Sequence, residues 1–351
     1  FADDVAAAPP PGVHGQAGDV ALNKALELTA FELRVWKFTL GLPKCKVLVF
    51  ALIVPDPLPI IIDGETLERV LTFKYLGATL NAKWTWSDHY ARINGRVRGD
   101  LKSIANAITL VSPSWSVVMQ LFSSLIMPTV TYGMPIISPS DADAAKTATA
   151  LAEGLYVMLR ITGNPATMPV LIDNQVLSPE FECRLALLRY ARRLLKNSQF
   201  RNPAATTLLD QLNGRPANSR VFATCRATRE ATRVLKTDYD AKHFDVKEMR
   251  KSALKQQLQH YQSQRSTSDD AKLRKELLPR DGPAAFLRLL GRRDAATLAA
   301  FRYNRLDLNH LRVKRGEDAK ADPSCPYCPG QPESVRHAVL LCPHYDAERK
   351  A

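Results

Sequence analysis

Phe1-Ala2-Asp3-Asp4-Val5-Ala6-Ala7-Ala8 opens the chain, with two adjacent carboxylates behind an aromatic and a small residue. Acidic ligands this close together let divalent ions clamp the attacking and leaving oxygens in phosphoryl transfer. Acidic pairs are also common in ordinary turns, so the four letters alone are a weak signal. We expect a β-turn at Asp3 and Asp4 and a strand over residues 5–8.

The residues that follow continue a mixed pattern of helix and strand. Apolar positions recur with helical spacing over 17–38, which predicts a helix. Residues 44–50 predict a strand, and Asp63-Gly64 between two short apolar runs predicts a tight hairpin turn. Residues 73–80 predict another strand, in which Gly77 permits close backbone approach. The first 80 residues are therefore expected to be α+β.

After residue 82 the pattern becomes helical, so the expected fold class of the whole chain is α+β, mostly α. We predict helices near 87–108, 114–132, 142–162, 178–197, 219–236, 243–263, 269–278 and 294–313. Pro128 is expected to kink its helix or to end it early. The polar residues 262–270 predict a loop.

Composition narrows the class of partner. The formal net charge is +13, and Lys and Arg exceed Asp and Glu by 16 over residues 181–320. This concentration favours a track for nucleic acid, although basic helix faces are often simply solvated. No apolar run approaches the length of a membrane span, so no membrane partner is expected. Six scattered or clustered cysteines and an acidic start without a signal peptide predict an intracellular, reduced protein that is not secreted.

Three cysteines and a histidine near the C-terminus give the strongest local signal. Two residues separate Cys325 from Cys328, eight separate Cys328 from His337, and four separate His337 from Cys342. A Cys-x2-Cys knuckle directs both thiolates to one ion, and the later His and Cys can complete the tetrahedron that Zn²⁺ prefers. Four protein ligands leave no position for water, so the pattern predicts structural zinc. His344 is an alternative ligand, and a chance cluster with His337 on a helix face remains open.

The order of these motifs resembles one family, the reverse transcriptases of non-long-terminal-repeat (LINE-type) retrotransposons. Phe1-Ala2-Asp3-Asp4 resembles their catalytic signature, and Lys44-Cys45-Lys46-Val47-Leu48-Val49-Phe50 resembles the segment after the next helix. Phe73-Lys74-Tyr75-Leu76-Gly77 resembles their primer-grip strand. Residues 121–133 are similar to a helix beyond the thumb, and the Cys-Cys-His-Cys (CCHC) knuckle completes the order.

The resemblance implies a set of site residues and cofactors. Asp3 and Asp4 would hold Mg²⁺ (or Mn²⁺) at the polymerase site, and Cys325, Cys328, His337 and Cys342 would hold Zn²⁺. Lys44 would assist the pyrophosphate leaving group, with an ordinary surface lysine as the alternative. The primer end would be held by Phe73, Tyr75, Leu76 and Gly77, which can also pack into the palm. Nucleic acid would contact the basic residues that lead to the knuckle, which are Arg302, Arg305, Arg312, Lys314 and Arg315.

The resemblance also implies a domain order and partners. Residues 1–82 would be the C-terminal part of the polymerase palm, 83–165 thumb-like helices, 166–315 a basic helical connector and 316–351 the CCHC zinc knuckle. The partners would be an RNA template and a DNA primer, with the element's own RNA as the template. The only small-molecule substrates of the intact parent would be deoxynucleotides. Such an enzyme would act in a nuclear or cytoplasmic ribonucleoprotein.

Two departures from the family pattern keep an alternative open. Gly41-Leu42-Pro43 stands where a polar Asn-Pro-type string is usual, and Pro9-Pro10-Pro11 closely follows the acidic pair. The polymerase site also needs a further palm carboxylate and the fingers, so we expect a fragment that is inactive alone. The alternative is a non-enzymatic nucleic-acid-binding protein derived from a decayed retroelement.

Overall fold

The structure of the chain is a computed structural model. It describes residues 6–10, 13–50, 57–83, 85–111, 113–161, 163, 166–196, 246–265, 275, 284–303, 305–306, 308–314, 316 and 322–350. The chain divides into two compact units over residues 1–91 and 92–351. Several predicted features lie outside the described residues: Asp3, Asp4, Arg315, the helix at 219–236, and 269–278 except for Lys275. The strand expected over residues 5–8 is wrong for its described part, since residues 6–8 belong to no strand.

The first unit combines one helix with short strands. Its elements are helix α1 (Gly15–Val35), a 3₁₀ turn (Leu42–Lys44) and strands β1 (Lys46–Leu48), β2 (Ile61–Ile62), β3 (Glu65–Thr66), β4 (Glu68–Val70), β5 (Thr72–Tyr75) and β6 (Ala78–Asn81). Strand β1 pairs in parallel with β4, whereas β2–β3 and β5–β6 are antiparallel hairpins. One face of α1 packs through Ala30 against Ile60, Ile62 and Leu67, which form a small core.

The predicted turn at Asp63-Gly64 is confirmed. Both residues adopt a left-handed backbone, with φ of 52° at Asp63 and 82° at Gly64. A two-residue loop with positive φ at both positions matches the right-handed twist of its flanking strands. The helix predicted over 17–38 is also confirmed, although α1 ends at Val35.

The single strand predicted over 73–80 is wrong, because this segment is a hairpin. Strand β5 turns at Leu76 and Gly77, which have φ of 45° and 81°, and Phe73 pairs with Leu80 on β6. Gly77 therefore serves the turn, where a residue without Cβ adopts positive φ at no steric cost. The turn is difficult to predict from the sequence, because a bulky apolar residue such as Leu76 rarely adopts positive φ.

The second unit is mostly helical. The helices that follow the hairpins are α2 (Ser87–Val111), α3 (Trp115–Leu121), α4 (Met127–Thr131), α5 (Asp141–Met158), α6 (Thr167–Asp173), α7 (Pro179–Lys196), α8 (Val246–Ser263), α9 (Ala285–Leu289), α10 (Arg292–Arg302) and α11 (Asn309–Lys314). Their apolar faces enclose one core that includes Leu101, Phe122, Leu151 and Tyr303. With the small sheets of the first unit, the fold class α+β, mostly α, is confirmed.

The helix predicted over 114–132 is interrupted next to Pro128. A π-helical turn over Phe122–Ile126 separates α3 from α4, and Pro128 lies at the start of α4. Proline has no backbone N–H, so the regular hydrogen-bond ladder cannot run through it. The chain remains helical from α3 to α4, and the irregular π-helical turn lies next to Pro128, where the sequence predicts it.

The region 294–313 is not the single helix that the sequence predicts. Helix α10 ends at Arg302, where Tyr303 leaves the helical conformation with φ of −99° and ψ of 12°. Helix α11 begins only at Asn309. The short helices α6 and α9 are not predicted either, since five to seven residues carry too little periodic signal.

The last described segment is a small structure with its own hairpin. Strands β7 (Ser324–Cys325) and β8 (Cys328–Pro332) pair antiparallel, and a π-helical turn follows over His337–Leu341. A 3₁₀ turn (Pro343–Tyr345) and helix α12 (Asp346–Lys350) end it. We call residues 322–350 the knuckle. Across the described ranges, no helix has the length and apolar character needed to cross a membrane.

Candidate metal centre

Four side chains of the knuckle converge on one point. Cys325 and Cys328 face each other across the turn between β7 and β8, and the π-helical turn presents His337. The backbone N–H of Cys342 donates to the carbonyl oxygen of His337 at 2.7 Å, which brings the two later residues together. The three sulfur atoms and a ring nitrogen all lie within 4.8 Å of one another. The predicted ligands Cys325, Cys328, His337 and Cys342 therefore form a group that can hold a metal ion such as zinc.

The sulfur separations fit a tetrahedral ion. Cys342 Sγ lies 3.8 Å from Cys325 Sγ and 3.8 Å from Cys328 Sγ. A tetrahedral ion with Zn–S bonds of about 2.3 Å separates its sulfur ligands by about 3.8 Å. The three cysteines are free thiols rather than disulfides. The donor set of three sulfurs and one nitrogen is also one that Zn²⁺ commonly takes.

His337 supplies an independent sign of a ligand. The residue is buried, and its Nε2 atom has no hydrogen-bond partner among the described residues. Buried polar atoms are nearly always paired, because leaving one unsatisfied costs free energy. A metal ion between the thiols would give this nitrogen its partner. The backbone N–H of His337 donates to Ser334 Oγ at 3.1 Å, which helps to fix the start of the turn.

The thiols differ in their ionisation. Burial, followed by the neighbouring sulfurs of Cys342 and Cys325, raises the pKa of the Cys328 thiol to about 11. Burial also acts to raise the pKa of Cys342, but hydrogen bonds from the backbone of His344 and Tyr345 and from the other two thiols outweigh it and lower that pKa. Of these two thiols Cys342 loses its proton at the lower pH, and a metal must displace the proton of Cys328 on binding.

The knuckle is joined to helix α11 by hydrogen bonds. Glu333 Oε2 accepts from the backbone N–H of Asn309 at 2.7 Å, at the first turn of that helix. The Asn309 side chain donates to the carbonyl oxygen of Ser324 at 3.4 Å. A carboxylate at a helix N-terminus satisfies an N–H that the helix itself leaves unpaired. The ligand hairpin and α11 therefore share a fixed geometry.

Arg302, one of the predicted nucleic-acid contacts, lies in an ion pair instead of on an open surface. Its Nε and Nη2 donate to the two carboxylate oxygens of Asp173 at 2.9 and 2.7 Å, and its side chain is only 13% exposed. The Tyr303 hydroxyl donates to the same carboxylate at 2.9 Å. Burial raises the pKa of Asp173, and Arg302 and Tyr303 lower it part of the way back. This network joins α10 to α6 and leaves little of the Arg302 side chain exposed to a ligand.

The other basic candidates are in different settings. Arg305 is half-buried and packs on Gly163: a Cβ atom added to Gly163 would lie 3.1 Å from Nη1 of Arg305. The Nε atom of Arg305 has no hydrogen-bond partner among the described residues. Arg312 is half-buried on α11, beside the knuckle. Lys314 ends α11 with a side chain outside the described part, as is all of Arg315. The five residues are therefore not shown to share one surface.

The predicted polymerase residues that can be described lie in the first unit. Lys44 is exposed at the end of the 3₁₀ turn that leads into β1. Phe73 and Tyr75 are half-buried on β5, and Leu76 is exposed at the turn beside Gly77. Strand β1 contacts β5, which brings the segment after Lys44 close to this hairpin. Asp3 and Asp4 lie outside the described residues.

Sequence reasoning missed a group of aromatic side chains on the knuckle. The His344 ring, weighed above as an alternative ligand, stacks on Tyr327 at a centroid distance of 3.6 Å and belongs to this group rather than to the four ligands. The signal was the Tyr between Cys325 and Cys328 together with the His-Tyr pair after Cys342. Comparison with known proteins adds no relative, since no protein-family model, curated protein or solved structure matches the chain.

Proposed function

We propose that this chain is the C-terminal part of an RNA-directed DNA polymerase of a non-LTR retrotransposon, ending in a zinc knuckle that binds nucleic acid. The observation that carries the proposal is the convergence of Cys325, Cys328, His337 and Cys342. This group occurs at the end of an ordered set of motifs, where the resemblance to LINE-type reverse transcriptases implies it. The excess of basic residues over 181–320 supports a polyanionic partner.

The zinc ion has a structural function in this proposal. Bound by three thiolates and one imidazole, Zn²⁺ cross-links the β7–β8 hairpin to the turn that carries His337 and Cys342. Among the described apolar side chains of the knuckle, Val335 is fully buried, whereas Leu340 and Leu341 are more than half exposed. So small a core folds poorly without a metal, which makes the fold of the knuckle depend on zinc.

The first unit would supply the C-terminal part of the polymerase palm. Asp3 and Asp4 would hold the divalent ions of the intact enzyme, and Lys44 would approach the leaving pyrophosphate. The hairpin β5–β6, with Phe73, Tyr75, Leu76 and Gly77, would hold the primer end on an RNA template. The contact between β1 and β5 supports this proposal, because it places two of these segments side by side.

A second candidate is a non-enzymatic nucleic-acid-binding protein left by a decayed element. The observation in its favour is the segment Leu42–Lys44, which forms a 3₁₀ turn with proline directly before the proposed catalytic lysine. In that case the basic helices and the knuckle would retain their function and the acidic pair would have none.

The two candidates differ in what lies upstream of Phe1 and in activity. The test joins this chain to the coding sequence that precedes it and measures primer extension on a poly-rA template with Mg²⁺. We expect extension by the longer protein, its loss in Asp3→Asn, and unchanged activity in the surface variant Asp141→Asn. Extension that survives Asp3→Asn would contradict the proposed function of Asp3 as a metal ligand of the polymerase site. Absence of any upstream palm and fingers would favour the second candidate.

A further inference from the structure

We propose that the outer face of the Tyr327 ring is a stacking site for an unpaired nucleobase. This inference rests on the proposed nucleic-acid-binding function and names the residue and the ligand class for the knuckle. Tyr327 lies in the turn between the first two ligands, Cys325 and Cys328. Its position is therefore tied directly to the metal centre.

The geometry of three rings leaves one face of Tyr327 open to a ligand. The Tyr327 and His344 rings are nearly parallel, at an interplanar angle of 9° and a centroid distance of 3.6 Å. The Tyr345 ring is perpendicular to both, with centroids 5.8 Å from Tyr327 and 4.9 Å from His344. A ring this close to both members of a stack lies beside the stack, not on top of it. The face of Tyr327 that points away from His344 is thus covered by neither ring.

The exposure of the side chain agrees with this geometry. Tyr327 remains 51% exposed although two aromatic rings touch it. Stacking on His344 holds the ring in one orientation, so little side-chain entropy remains to be lost when a ligand binds. A rigid ring with one open face is what an aromatic side chain needs in order to stack on a base.

The charge of the chain favours a nucleobase over an apolar protein side chain as the occupant. The knuckle follows a segment in which Lys and Arg exceed Asp and Glu by 16, and Arg336 is exposed next to the ligand His337. Basic residues attract phosphates without regard to sequence, and an aromatic face adds contact with the bases. Base faces are accessible in single strands and hidden in a duplex, so the site selects unpaired nucleic acid.

The test compares variants of the full chain in binding to a fluorescent single-stranded RNA and to a duplex of the same length. Tyr327→Ala should weaken single-strand binding by about tenfold, the effect of losing one stacked base. Tyr327→Phe should bind like the unchanged protein, because it keeps the ring. Phe38→Ala, which removes another exposed aromatic side chain (65% exposed, against 51% for Tyr327) from the first unit, is the control and should change nothing.

Salt dependence and metal content separate stacking from other causes. Tyr327→Ala should leave both the slope of log affinity against log salt and the zinc content unchanged, since it removes no charge and no ligand. If the unchanged chain binds single-stranded RNA but Tyr327→Ala binds it equally well, the stacking site is refuted and the proposed function stands. If the unchanged chain binds no nucleic acid, both fail. A variant that alters self-association instead of RNA affinity would identify this face as a protein contact.

Discussion

Arg302 illustrates why charge alone does not locate a contact residue. The sequence places it in a basic cluster, yet its guanidinium binds both oxygens of Asp173, which lies 129 residues earlier in the chain. Sequence reasoning cannot find such a pair, because nothing local in either segment refers to the other. The four metal ligands were predictable for the opposite reason, since a short loop limits where each thiol can point.

Replacing Arg302 should destabilise the helical unit. Arg302→Met leaves the buried carboxylate of Asp173 without its counter-ion, and breaking a buried pair in this way costs about 3–5 kcal/mol. Arg184→Met, which removes an exposed ion pair with Glu180, should cost only about 0.3–0.5 kcal/mol. Urea unfolding at pH 7 measures both. Equal losses in the two variants would show that the Asp173 pair does not stabilise the fold.

The loss of unfolding free energy in Arg302→Met should also depend on pH, and the direction of this dependence can be predicted. Burial raises the folded-state pKa of Asp173 above its ordinary value of 3.8, and Arg302 opposes that rise. Without Arg302 the folded pKa rises further, so the cost of the ionised carboxylate is fully present at neutral pH. It falls as the pH drops through the raised pKa, because the folded state then takes up a proton. The difference in unfolding free energy between the two proteins should therefore shrink as the pH falls from neutral, and a difference that does not change with pH would contradict this account.

At the scale of elements, the long periodic helices were predicted and the short or interrupted ones were not. Helices α1, α2, α5 and α7 lie close to their predicted positions because each has an apolar face of several turns. The hairpin at 72–81 was predicted as one strand because Leu76, at its turn, is a residue type that rarely adopts positive φ. The five- to seven-residue helices α6 and α9 are held by burial in the core, which local sequence does not reveal.

The packing of α5 on α2 gives a test at the same scale. A Cβ atom at Gly154 would lie 2.8 Å from Cγ of the buried Leu101 and still closer to both of its methyl carbons. Gly154→Ala should therefore destabilise by about 1–3 kcal/mol, even though alanine is the better helix former. Gly99→Ala on α2 meets no atom within 4 Å and should instead stabilise by up to about 1 kcal/mol. Thermal unfolding measures both changes, and stabilisation by Gly154→Ala would rule out this close approach.

At the scale of the whole molecule, the basic segment predicts salt-sensitive binding. The affinity for single-stranded RNA should fall at least about tenfold between 50 and 200 mM salt, as condensed counterions are released on binding. Lys251 and Lys255 are exposed on α8, so the double variant Lys251→Gln/Lys255→Gln should bind more weakly and with a shallower salt slope. Lys24→Gln/Lys37→Gln removes the same charge from the first unit and is the control. Equal effects of the two double variants would mean that the positive charge attracts RNA without a defined binding surface.

The metal content of the purified full chain tests the central claim, that the knuckle is a zinc site. We predict one zinc ion per chain by elemental analysis, its loss in Cys325→Ser/Cys342→Ser, and its retention in Cys45→Ser, which changes a thiol of the first unit. The ion should be removable by a strong chelator, with loss of structure in the knuckle. A chain that carries no zinc when prepared under reducing conditions with zinc present, or a double variant that keeps it, would contradict the account.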